Sequence, residues 1–181
     1  LLLQEIKTVE EKFPELEIGD AGYNCAVFGQ KTYNGVAILS KRPIEDINRG
    51  LPGNVGDPQA RYIDAVVSGV RVASLYLPNG NPVNTEKFPY KLAWMDHLVD
   101  HAANLLANEE AVVLGGDYNI IPADGDVYDP EGWRNDALCQ QAARARFRTI
   151  LNSGYIEAFR ALHSETGCYS FWDYQKGRWQ R

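Results

Sequence analysis

The chain has 181 residues, of which 45% are apolar and 23% charged, with a formal net charge of -6; it is long enough for one globular domain with a core of its own. No apolar run approaches the ~20 residues that a membrane-spanning helix needs, and Cys25, Cys139 and Cys168 are odd in number and scattered, which excludes a disulfide framework or a Cys-x-x-Cys zinc site. The charge is uneven: from Arg134 onward there are eight basic and four acidic side chains, against ten and twenty before it, a polarity that suits one anion-facing surface on an acidic body.

In chain order, Leu1-Leu2-Leu3 is too short and lacks the basic flank of a signal peptide; it reads as the end of a buried strand. A helical pattern over Ile6 to Phe13 follows, then strand-like runs at Tyr23 to Phe28, Gly35 to Ser40, Tyr62 to Val67 and Val70 to Leu77. Ser68-Gly69 between the last two predicts an antiparallel hairpin. Phe88 to Asn108 predicts a long helix, because Leu92, Met95, Leu98, Ala102, Leu105 and Leu106 recur on one face. His97 and His101 are i and i+4 on that helix, the spacing of a zinc pair. Beside Asp96 and Asp100, however, they are expected on its solvated side. Ala111 to Gly115 predicts a buried strand, Gln140 to Ser153 a third helix, and Tyr169 to Tyr174 an aromatic strand. Irregular loops are expected at Asn48 to Gln59, Pro78 to Thr85 and Pro122 to Asn135. Both chain ends read as cut, so the expectation is a single, partial α/β domain over residues 1–181 with sheets inside and helices outside.

Polar residues concentrate where apolar strands end. Glu5 follows Leu1-Leu2-Leu3-Gln4; a carboxylate there needs a partner or a cation, and Mg²⁺ accepts one or two carboxylates together with water and phosphate. A helix-start carboxylate is the plainer alternative. The run Val112-Val113-Leu114-Gly115-Gly116-Asp117-Tyr118-Asn119 carries a strand into a Gly pair and then presents an acid and an amide two residues apart. Asp117 could deprotonate a water and Asn119 could donate to a phosphate oxygen, or the two could simply form an Asx turn. Tyr76 closes a strand before Pro78-Asn79-Gly80, where a phenol could meet a phosphate or pack over the turn. The aromatics Tyr169, Phe171, Trp172 and Tyr174 lie near Lys176, Arg178 and Arg181, a composition for stacking and phosphate contact or for an ordinary β core.

Taken in order, Leu3-Gln4-Glu5, Tyr33-Asn34-Gly35-Val36-Ala37-Ile38-Leu39-Ser40, Tyr76-Leu77-Pro78-Asn79-Gly80, Gly116-Asp117-Tyr118-Asn119 and Tyr169-Ser170-Phe171-Trp172-Asp173-Tyr174 resemble the exonuclease III / abasic-site endonuclease family. The resemblance implies a four-layer α/β sandwich of two packed mixed sheets flanked by helices, with the active site at one edge. It implies Glu5 as metal ligand for Mg²⁺ (with Mn²⁺ as a substitute), and Tyr76, Asp117 and Asn119 as catalytic residues. Tyr33, Asn34 and Asn79 would touch the DNA backbone, Arg144 would make a further DNA contact, and Phe171 with Trp172 would wall a pocket for a flipped-out abasic sugar. The implied protein is a monomeric DNA-repair nuclease acting on double-stranded and abasic-site DNA, with 3′-to-5′ exonuclease and abasic-site endonuclease activities; the scattered cysteines make a reducing cytoplasm its expected compartment. A phosphoinositide, sphingomyelin or RNA hydrolase of the same superfamily, and a non-catalytic DNA-binding remnant, are the competing readings. The family pattern also includes an Asn-bearing strand before Leu1 and an Ile-Asp strand and Asp-His pair after Arg181, so this segment alone is expected to bind metal weakly and catalyse poorly.

Overall fold

The computed structural model describes residues 1–171. Strand β1 (Leu2–Gln4) pairs antiparallel with β3 (Val36–Ser40), whose other edge pairs antiparallel with β2 (Asn24–Phe28), giving a three-stranded sheet in the order β1-β3-β2. The second sheet runs β4-β5-β6-β7, with β4 at Glu45–Arg49, β5 at Tyr62–Val67, β6 at Val70–Tyr76 and β7 at Val112–Asp117. Within it β4, β5 and β6 are antiparallel and β6-β7 is parallel. Ser68 and Gly69, with φ of 52° and 79°, make the expected hairpin between β5 and β6, since two successive left-handed residues match the strand twist. The β6-β7 connection is long because parallel strands need a crossover; it contains α2 (Lys87–Ala107).

Period-2 alternation along the second sheet divides the core in two. Tyr62, Ala73 and Leu75 point to α2 and pack with Trp94, Met95, Leu98 and Ala102, and with Ala143 and Ile150 of α4 (Gln141–Asn152). Ile63 and Ala65 point the other way and meet Ala26, Val36 and Ile38 of the first sheet. The order is therefore helices, sheet, sheet, with α1 (Glu15–Asp20) in contact with β2 of the first sheet, an α/β sandwich as the resemblance implied. The first sheet differs in being wholly antiparallel.

Several elements depart from expectation. Only Glu10–Lys12, as a 3₁₀ turn, is helical within Ile6 to Phe13. There the chain lies over Gly29, where a Cβ would stand 2.6 Å from the Thr8 carbonyl oxygen. Strand β4 escapes its hydrophobic pattern because every residue in it is exposed; an edge strand with a bulge has no inner face to mark. The loop after β7 holds a 3₁₀ turn at Asp124–Asp126 and the short α3 (Pro130–Trp133), started by Asp129 capping the Gly132 N–H. The short α5 (Ala158–Leu162) follows α4. Tyr169 to Phe171 is irregular, and the rest of that predicted strand lies outside the described residues.

His101 is a correction: it is buried on the inner face of α2, with Nε2 2.9 Å from the Tyr62 hydroxyl and 3.9 Å from Asp64. Its neighbours Asp96 and Asp100 are exposed, but the apolar face of α2 is wide enough to include Lys91, Trp94 and His101. Burial lowers the His101 pKa below its ordinary 6.5, against the pull of Asp64.

Candidate active site

Strand β1 of the first sheet lies against β6 and β7 of the second, and Glu5, Tyr76 and Asp117 lie at the C-terminal ends of these three strands. Tyr76, last in β6, is the register partner of Asp117, last in β7. Ser74, two residues earlier on the same face of β6, donates to the Leu3 carbonyl at 3.0 Å and accepts from the Gln4 amide at 3.0 Å. That tie sets β1 across β6, so Tyr76 meets the residue that leaves β1: its hydroxyl donates to Glu5 Oε1 at 3.0 Å. Gly115 is small for the same reason, since a Cβ there would come within 2.5 Å of Leu2 Cδ1.

Glu5 has φ of 54° and turns the chain out of β1. The turn is braced from behind by the Tyr33-Asn34-Gly35 run, whose Gly35 and Asn34 carbonyls accept from the Ile6 and Lys7 N–H groups at 3.2 and 3.0 Å. Gly35 must lack a side chain, because at φ of 86° a Cβ would sit 2.5 Å from Ile6 Cγ1. The Lys7 ammonium stands 2.8 Å from Glu5 Oε2, and that contact holds the Glu5 carboxyl below its usual range, with the Tyr76 hydrogen bond adding to it against a desolvation cost. Arg61 lies over the Tyr76 ring, guanidinium carbon 4.9 Å from the centroid, and donates to the Tyr76 carbonyl at 3.1 Å. Burial first, and then the Glu5 carboxylate, push the Tyr76 hydroxyl up to about 12, so at neutral pH it is a donor rather than a phenolate.

Asp117 is fixed by a turn of its own making. Gly116 carries φ of 140°, and a Cβ on it would lie 2.0 Å from the Leu75 carbonyl oxygen; only glycine lets β7 approach β6 so closely at its end. Asp117 Oδ1 then accepts the Asn119 N–H at 2.9 Å. Burial raises the Asp117 carboxyl, opposed by that hydrogen bond and by Lys91, and reinforced by Glu5. Asn119, at φ of 45°, donates its amide to the Leu77 carbonyl at 2.8 Å and accepts from Asn79 Nδ2 at 3.1 Å. Asn79 in turn accepts from the Asn81 N–H and side-chain amide at 3.2 and 2.9 Å, and Asn81 reaches Asp136 at 3.0 Å.

Glu5, Tyr76, Asp117, Asn119 and Asn79 are therefore brought to one edge. Tyr33 and Phe171 are exposed, at 69% and 71%. Asn34 and Arg144 are placed differently from the DNA-facing role expected of them. Asn34 is buried, with its amide shared between the Gln30 and Gln59 side-chain oxygens at 3.0 and 3.2 Å. Arg144 is buried on α4 and holds the loop after β7, donating to the Ile121 carbonyl at 2.7 Å and to Asp124 at 3.0 Å. Trp172 lies outside the described residues. The basic end of the chain is also less free than its charge suggests: Arg144, Arg146 and Arg160 pair with Asp124, Asp96 and Asp126.

Sequence reasoning missed Lys7, Arg61 and Lys91. Lys91 left a signal, since it precedes Trp94, Met95 and Leu98 at the spacing of the buried face. Among the described residues no cluster of three or more His, Cys, Asp or Glu is spaced to hold a metal. A cation that takes one carboxylate and completes its shell with water and phosphate fits what is present. Glu5 is the exposed carboxylate at the mouth, already matched with the Lys7 ammonium.

The whole chain, residues 1–181, matches the Endonuclease/Exonuclease/phosphatase family. It is 29% identical over 156 residues to an exodeoxyribonuclease of Bacillus subtilis, covering 86% of this chain and 60% of that protein. The 3'-5' exonuclease NExo of Neisseria meningitidis superimposes with a TM-score of 0.95 at 40% identity, over 99% of this chain and 70% of that one. An AP endonuclease of Archaeoglobus fulgidus does so with a TM-score of 0.92 at 32% identity, over 98% and 69%. The chain thus spans about 60% of the Bacillus protein's length.

Proposed function

The chain belongs to the Endonuclease/Exonuclease/phosphatase family, and on that footing we propose that its parent protein is a DNA-repair nuclease. It would hydrolyse phosphodiester bonds of duplex DNA both as a 3′-to-5′ exonuclease and beside abasic sites, with Mg²⁺. The observation that carries this reading is the meeting of Glu5, Tyr76 and Asp117 at the ends of three strands, with the Tyr76 hydroxyl on Glu5 and Asp117 directly across from Tyr76. Asp117 has one oxygen engaged by the Asn119 N–H. The other would take the proton of an attacking water, and partial burial suits a carboxylate to that work by raising its basicity. Tyr76, protonated at neutral pH, would donate to a phosphate oxygen. Asn119 uses one amide hydrogen on Leu77 and keeps a second for the same purpose. Glu5 would hold the cation, which when bound offsets charge on the phosphate and the leaving oxygen. DNA as substrate is supported by the names of the relatives and by Tyr33, Asn79 and Phe171, exposed side chains suited to backbone contact and stacking.

The test offers the full-length protein a duplex with one abasic site and a duplex with a recessed 3′ end, each with Mg²⁺ or with chelator. Magnesium-dependent incision beside the abasic site and shortening of the 3′ end are expected. Neither product in Mg²⁺, or products undiminished by chelator, would overturn the reading.

A further inference from the structure

Lys91 projects from the first turns of α2 into the interior and is fully buried. Its Nζ donates to two carbonyl oxygens, Asn79 at 3.0 Å and Asn119 at 2.6 Å. These belong to the loops that leave β6 and β7, and they are also the two residues whose side chains bond each other at 3.1 Å. One ammonium therefore lies beneath both loops, and each of its bonds supports a residue at the site edge. The stem is enclosed as well: at Gly80, φ of 88°, a Cβ would fall 2.7 Å from Lys91 Cδ and 3.2 Å from Ala137 Cβ. The charged and titratable groups that bear on it are Asp136, Asp117 and the Cys139 thiol.

We propose that Lys91 is a positioning residue of the active site, which clamps the Asn79 and Asn119 loops from below and so fixes the Asn119 N–H that Asp117 accepts. A packing role alone does not require a charge here, since an unbranched apolar side chain such as Met would fill similar space without desolvating an ammonium. Carbonyls aimed at one point ask for a cation with several donors, which lysine supplies. Burial lowers the Lys91 pKa to about 8, with Asp136 and Asp117 opposing the fall, so the group is charged at neutral pH. The Asp117 carboxyl, raised by burial, is held down first by the Asn119 N–H and then by Lys91. This inference rests on the nuclease reading for its kinetic consequence alone; the path from Lys91 through Asn119 to Asp117 is independent of the substrate.

The experiment compares the full-length protein with its Lys91→Met and Lys91→Arg variants. Two measurements need no activity: the Asp117 carboxyl carbon and the Lys91 side chain are each titrated by NMR. In Lys91→Met the Asp117 titration should move to higher pH, and in Lys91→Arg it should stay near that of the parent. For the case that Lys91→Met does not fold, the Lys91 titration is followed in Asp117→Asn, where it should fall below its value of about 8 in the parent. On abasic duplex, Lys91→Met should lose ~10- to 100-fold in kcat, since misplaced site groups cost turnover on that scale. The Kd for DNA in chelator should rise by less than kcat falls, because Lys91 is itself buried and reaches the DNA only through the Asn79 loop. The acid limb of the rate profile should follow the shifted Asp117. Unchanged titrations of both groups, with only the melting temperature altered, would reduce Lys91 to packing and overturn the proposal. Shifted titrations in a parent protein that cuts no DNA would instead leave Lys91 standing and remove the nuclease reading.

Discussion

Asn119 offers the sharpest quantitative test of how the site is held. Its side chain makes two hydrogen bonds, to the Leu77 carbonyl and from Asn79, while its backbone adopts φ of 45°. Asn119→Ala removes both side-chain bonds, each worth about 1 kcal/mol. It also places a residue without a compensating side-chain bond in the left-handed region, for about 1 kcal/mol more. The sum is ~3 kcal/mol. With a urea slope of ~2 to 3 kcal/mol/M for a domain of this size, the midpoint should fall by about 1 to 1.5 M, and the melting temperature by ~6 to 12 °C. Asn119→Gly loses the same two bonds but meets no steric objection at that φ, so it should cost ~2 kcal/mol and melt above the Ala variant. Urea unfolding of the full-length protein and both variants measures the difference. Both variants should also lose turnover on abasic duplex by ~10²-fold, through the freed Asn79 and the missing donor. If Ala and Gly are equal in stability and each costs under ~0.5 kcal/mol, the two bonds do not hold the turn and the account of the site edge fails.

Asp117→Asn preserves the acceptor for the Asn119 N–H and removes the charge whose burial raises the carboxyl's pKa. It should therefore melt no lower than the parent while turnover drops by ~10²- to 10⁴-fold, the range for a general base; near-normal turnover would remove Asp117 from that role. His101 predicts a pH dependence of stability. Because burial keeps its folded pKa below the ordinary 6.5, the unfolded chain binds a proton first as pH falls. Its contribution is full above 6.5 and is lost as pH drops below that value toward the folded pKa. His101→Gln, which keeps a polar partner for the Tyr62 hydroxyl, should flatten the fall in urea midpoint between neutral pH and pH ~5; an equally steep fall would assign the acid sensitivity to other groups.

Amino-acid order alone determined the elements with a strong periodic signature. The β5-β6 hairpin and its Ser68-Gly69 turn, the long α2 and α4 all lie within a residue or two of where pattern placed them, because alternation and helical spacing are local properties. It also marked Glu5, Tyr76, Asp117 and Asn119, which lie at or just beyond the ends of apolar strands. What it could not decide was anything set by a partner distant along the chain. Strand β4 has no buried face to announce it, and His101 looked solvated until Tyr62 of β5 was brought against it. Asn34, which the resemblance put at the DNA backbone, is enclosed by Gln30 and Gln59. The meeting of Glu5 with Tyr76, 71 residues apart, follows from the packing of two sheets. The pKa displacements at Asp117, Tyr76 and Lys91 arise first from burial, which exists only once those sheets and α2 have enclosed the site.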